Sequence, residues 1–65
     1  MRIVVNGAPH DVQAHTLALV LVELGYGEQR VATALDGNFV PAPQRADRAL
    51  QPHCQVEIVS PRPGG

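Results

Sequence analysis

At 65 residues the chain is one small domain, and its core is close to the minimum that folds without a staple. One cysteine, Cys54, excludes an internal disulfide and a thiolate metal cluster, so stability rests on nine Val, six Leu, two Ile and eight Ala, with only Tyr26 and Phe39 as aromatics. Five scattered Arg against six acidic residues give a net charge of -1, with no basic run and no aromatic platform, which argues against nucleic-acid binding.

Residues 1–5 alternate, with Met1, Ile3 and Val5 on one side and Arg2 and Val4 on the other, the period of a strand. Asn6-Gly7 follows and predicts a two-residue hairpin turn, because both central positions of that turn need positive φ. A second strand is expected over about residues 10–14, with Pro9 at or before its start. Thr16 can then cap a helix through its hydroxyl. Leu17, Val20, Leu21 and Leu24 form one stripe of it, and Gly25 or Gly27 can end it. Residues 31–35 read as a third strand, Asp36-Gly37 as another tight turn, and residues 38–40 as a short return strand ended by Pro41 and Pro43. Residues 41–52 are irregular, with one helical turn near 44–47, and residues 55–60 form the last strand.

The first and last strands are the most apolar. Both can be central with connections this long only if they pair in parallel, which is the β-grasp arrangement. The expected fold is α+β: a mixed sheet of four to five strands, one main helix, a domain over residues 1–59 and a tail over 60–65. If Ile3, Val5, Val56 and Ile58 face the helix, Val4 and Val59 emerge on the other face. Parallel pairing is expected to make them neighbours at the root of the tail, with Phe39 extending the patch, and this open face is the candidate docking surface for partners.

Other residues carry weaker signals. Cys54 reads as a small packing residue, since no basic cluster lies close in sequence to lower its thiol pKa. His10, His15 and His53 lack metal-ligand spacing. Leu19 and Val22 fall opposite the helix stripe, either as scattered surface aliphatics or as a contact patch. The longest uncharged stretch, residues 12–22, contains Gln13, His15 and Thr16 and is no membrane span. The opening residues turn polar too soon for a signal peptide, and with a free thiol this points to the cytoplasm.

No core residue lies beyond Val59. Pro61 and Pro63 fix φ and favour an extended path, on which six residues at about 3.1 Å each reach roughly 19 Å from the sheet. Gly64 and Gly65 have no Cβ, so a partner can enclose their backbone in a narrow channel, while Arg62 is the one charge available for recognition. Such an arm suits chemistry at the Gly65 carboxylate.

The whole chain resembles the ubiquitin-like sulfur carriers, most closely their thiamine-biosynthesis branch. The resemblance rests on Met1-Arg2-Ile3-Val4-Val5-Asn6-Gly7, Thr16-Leu17 through Leu24-Gly25, Ala34-Leu35-Asp36-Gly37-Asn38-Phe39-Val40-Pro41, Val56-Glu57-Ile58-Val59 and Gly64-Gly65, in that order and spacing. Where members often carry an Asp-Gly-Asp-like turn before the last strand, this chain has Pro52-His53-Cys54. The resemblance implies a protein co-substrate, not an enzyme, with no bound cofactor. An adenylyltransferase similar to ubiquitin-activating enzymes would use ATP to convert the Gly65 carboxylate to an acyl adenylate. A persulfide sulfur would then replace AMP, with a cysteine desulfurase as a further candidate partner, and thiazole synthase would take the sulfur from the Gly65 thiocarboxylate. Carriers for molybdopterin, cysteine or transfer-RNA thiolation, and a docking module with an unmodified tail, are the alternatives.

Overall fold

A computed structural model describes residues 1–27 and 29–60. Two hairpins, β1 (Arg2–Val5) with β2 (Ala8–Asp11) and β3 (Ala32–Leu35) with β4 (Asn38–Val40), flank the last strand, β5 (Gln55–Val59). The strand order is β2-β1-β5-β3-β4. β1 and β5 run parallel in the interior of the sheet, and every other neighbour pair is antiparallel. One helix, α1 (Leu17–Glu23), packs on one face, and a 3₁₀ helix over Ala42–Asp47 lies in the crossing between β4 and β5. This is the β-grasp arrangement expected from the sequence.

β2 begins earlier than its sequence pattern suggests. Val5 pairs directly with Ala8, so the turn consists of Asn6 and Gly7 alone, with Asn6 at φ 50. Pro9 therefore lies inside the strand, opposite Val4. Met1 and Val12 exchange hydrogen bonds, and bonded rungs alternate along an antiparallel pair. That places Pro9 on a rung where its missing N–H would have faced away from β1, which an edge strand tolerates. At the other end of the hairpin, Arg2 and Asp11 form a bidentate pair at 3.1 Å on the surface. Hydrogen bonds from Arg2, and then its positive charge, hold the Asp11 carboxyl below the usual carboxylate range.

The helix begins as expected, with the Thr16 hydroxyl accepting from Leu19 N–H. Leu17, Val20 and Leu21 are buried against Ile3, Val5, Val56 and Ile58 of the two parallel strands, and Leu24 packs partly against them. Cys54 is buried in the same core, the packing role read from its surroundings in sequence. Glu23, the last helical residue, turns back so that its carboxylate accepts the N–H groups of Gln13 and Ala14 at 2.9–3.0 Å. The helix's one charge thus fixes the link that leads into the helix.

The crossing segment is pinned at two places. Leu17 N–H donates to the Arg48 carbonyl and Leu50 N–H to that of His15, which seats Leu50 under the helix start. Arg45 reaches from the 3₁₀ helix to the second hairpin, donating to the Thr33 hydroxyl at 3.0 Å and the Val31 carbonyl at 2.6 Å. Thr33 is buried, and its hydroxyl donates in turn to the Val40 carbonyl at 2.8 Å. No buried side-chain polar atom is left without a partner among the described residues.

Candidate functional site

The site is built around the end of β5, the last strand of the described residues. Alternation along β5 buries Val56 and Ile58 and exposes Gln55, Glu57 and Val59. Val59 pairs with Ala32, and one rung back Glu57 pairs with Ala34, which pairs with Phe39 of β4. These residues share the face opposite the helix. Phe39 and Val59 are 67% and 63% exposed, and Ala32 and Ala34 supply a low floor between them, so the two form one apolar patch. A shallow groove of ≈ 370 Å³, lined by Arg30, Val31, Ala32 and Val59, continues the patch around the start of β3.

Val4 shares this face but does not join the patch. Its parallel partner is Gln55, at the start of β5, and its antiparallel partner is Pro9. Gln55 and Val59 are four residue steps apart, about 13 Å along a strand, with exposed Glu57 between them. The expected contact between Val4 and Val59 at the root of the tail is therefore absent. The parallel register sets Val5 beside Val56, so β5 runs on past the end of β1. Val4 is also half-buried, a poorer contact than Phe39 or Val59.

The overhanging end of β5 is held from both sides. On one side it pairs with β3. On the other, where β1 has ended, the Asn6 carboxamide takes over: Nδ2 donates to the Ile58 carbonyl at 3.0 Å, and Oδ1 accepts Ile58 N–H at 2.8 Å. The start of β5 has a matching contact, in which the Asp36 carboxylate accepts Gln55 N–H at 2.8 Å. Sequence reasoning found Asn6 and Asp36 as turn residues and missed these second roles. A bond between side chain and backbone across 52 positions leaves no local pattern.

Leu19 and Val22 emerge on the outer side of the helix as read from the stripe, 57% and 64% exposed. Pro61, Arg62, Pro63, Gly64 and Gly65, on which the tail chemistry was read, lie outside the described residues. Among the described residues no helix is long and apolar enough to cross a membrane.

A parallel central pair with one covering helix defines a ubiquitin-like β-grasp fold. The sequence model of the ThiS family matches residues 3–65, and the chain belongs to that family, whose members are small sulfur carriers of thiamine biosynthesis and not catalysts themselves. Among solved structures, the chain is similar to a crystal structure of the thiamine biosynthesis protein ThiS from Geobacter metallireducens. The TM-score is 0.81 at 23% identity, with 100% of both chains covered, a likeness of fold. No curated protein matches the chain.

Proposed function

We propose that this chain carries sulfur for thiamine thiazole synthesis on the carboxylate of Gly65. The observation that supports the reading most is the ThiS family match, which runs through the whole domain and on to residue 65. In this reading, residues 60–65 are an arm that partner enzymes draw into their active sites. Pro61, Arg62, Pro63 and Gly64 form the part enclosed on the way.

The chemistry follows from what a carboxylate lacks. Its oxygens are poor leaving groups, so sulfur enters only after activation. A partner adenylyltransferase brings the Gly65 carboxylate to the α-phosphate of ATP; an oxygen–phosphorus bond forms and pyrophosphate leaves. A persulfide sulfur, supplied through a cysteine desulfurase, attacks the acyl carbon and AMP departs. Cleavage of the resulting acyl disulfide by a thiol leaves the thiocarboxylate, and thiazole synthase takes its sulfur. In this reading the work is done in the cytoplasm, where ATP and persulfide donors are both at hand.

Intact mass after incubation with the cognate adenylyltransferase, ATP and a sulfur source tests the reading. One oxygen is replaced by sulfur on the C-terminal fragment, and deletion of Gly65 abolishes the change. A deleted chain that still delivers sulfur would overturn it. Docking of the domain uses Phe39 and Val59, and not Val4 beside them. Val59→Asp leaves the fold intact, since Val59 is exposed, and weakens the complex with the adenylyltransferase in a titration. Unchanged affinity removes this face from the reading.

A further inference from the structure

Along the β1–β5 pair, Val4 N–H donates to the Cys54 carbonyl and Asn6 N–H to that of Val56. The next rung would need another residue of β1 beside Ile58. None is there, because the chain turns back at Asn6, whose φ of 50 carries Gly7 into β2. Ile58 N–H and C=O both point to this vacated side. An open edge here would leave two backbone groups of β5 to water and let the strand fray one turn before the arm begins.

Asn6 closes the edge. Its carboxamide offers one donor and one acceptor in a plane, the same pair that a strand residue presents, and both meet Ile58. The left-handed backbone that makes the turn also swings this side chain along the ladder. No other side chain contributes a rung to β5 beyond Val56 among the described residues.

We propose that Asn6 is a positioning residue for the carrier reaction: its carboxamide acts as a surrogate strand residue that fixes the point at which the chain leaves the sheet. The kinetic part of this inference rests on the carrier reading above. With the clamp in place, six residues run from Ser60 to Gly65. Without it, the end of β5 is held by β3 alone, and each time it opens back to Glu57 the tether is nine residues long. Effective concentration at the end of a tether falls roughly as the −3/2 power of its length, so delivery of Gly65 to a docked partner falls by up to about twofold. Val59 lies in the segment that opens, so the docking patch loosens with the tether, and maximal rate falls while half-saturation rises.

Asn6→Gly tests this, because glycine accepts the turn's φ and removes only the clamp. The first measurement is amide hydrogen exchange of the free domain. Ile58 N–H exchanges at least about tenfold faster in the variant, a larger factor than for Ile3 N–H on the same sheet, whose change reports only the loss of global stability. Equal behaviour of the two amides overturns the clamp. The second is the rate of adenylation against carrier concentration with the cognate adenylyltransferase. Maximal rate falls by up to about twofold, and half-saturation rises with it. Faster exchange at Ile58 with an unaltered maximal rate overturns the positioning role and leaves Asn6 a stabilising residue only. If the wild-type chain is not adenylated at all, the carrier reading fails, and the positioning role fails with it. The exchange measurement still decides whether the clamp exists.

Discussion

Asn6-Gly7 and Asp36-Gly37 are both two-residue turns with a left-handed first residue, at φ 50 and φ 48, and each reaches with that residue's side chain to β5. They approach from opposite sides of the strand and at opposite ends. Asp36 meets Gln55, where its own backbone N–H already donates to the Gln55 carbonyl, so only an acceptor is missing and a carboxylate supplies it. Asn6 meets Ile58, where both a donor and an acceptor are missing, and a carboxamide supplies both. In sequence the two residues look interchangeable as turn formers. The strand they serve distinguishes them.

Exchanging the two chemistries breaks the comparison most directly. Asn6→Asp keeps the left-handed preference and the acceptor for Ile58 N–H, but loses the donor and turns a charged oxygen toward the Ile58 carbonyl. We expect a loss of about 1–2 kcal/mol, the cost of leaving a part-buried carbonyl unsatisfied, read from urea denaturation. The loss shrinks as pH falls, because protonation raises a hydroxyl where the amide had been. Contact with the carbonyl raises the folded-state pKa of the new carboxyl, so stability recovers below that pKa and is lost above it. A loss independent of pH would locate the effect in the turn and not in the clamp.

The reciprocal change is milder. Asp36→Asn retains an oxygen for Gln55 N–H and gives up only the charge that strengthens the bond. The expected loss is about 0.5 kcal/mol, in the same denaturation measurement. If the two substitutions cost the same, the carboxamide at position 6 has no special role.

Much of this fold is legible in the sequence, and the parts that are not share a cause. Alternation in residues 1–5 and 55–59, the Leu17/Val20/Leu21 stripe and the two Gly-containing turns place the strands, the helix and the parallel central pair. Each of these is a local pattern. Pro9 pushes the expected start of β2 too late, because a proline inside a strand is rare away from an edge, and only the sheet order shows that β2 is an edge. The register of β1 against β5 is likewise non-local, and it separates Val4 from Val59. Arg45 reads as one of five scattered charges until the fold brings it to Thr33. Of the candidate site, Val59 on the open face follows from alternation, whereas the facing of Phe39 depends on the register of β4 against β3, and the Asn6 contact depends on how far one strand overruns another.

A third left-handed residue sharpens the contrast. His53 has φ 68, just before the buried Cys54. Its backbone N–H donates to the Arg2 carbonyl at 2.7 Å. Its imidazole is exposed and makes no hydrogen bond among the described residues, so nothing offsets the steric conflict between Cβ and the backbone at positive φ. That conflict costs about 1–2 kcal/mol for an ordinary residue, while glycine gives back about 0.4–1 kcal/mol through the freedom of the unfolded chain. His53→Gly is therefore expected to stabilise the domain by about 0.5 kcal/mol, a small rise in the denaturation midpoint with unchanged slope. Asn6→Gly relieves a smaller conflict, since asparagine tolerates the left-handed region, and lowers stability because it also removes the two bonds to Ile58. The same substitution at two left-handed positions thus has opposite signs. If both changes stabilise, the bonds between Asn6 and Ile58 contribute less than the strain they accompany, and β5 is held by β3 alone.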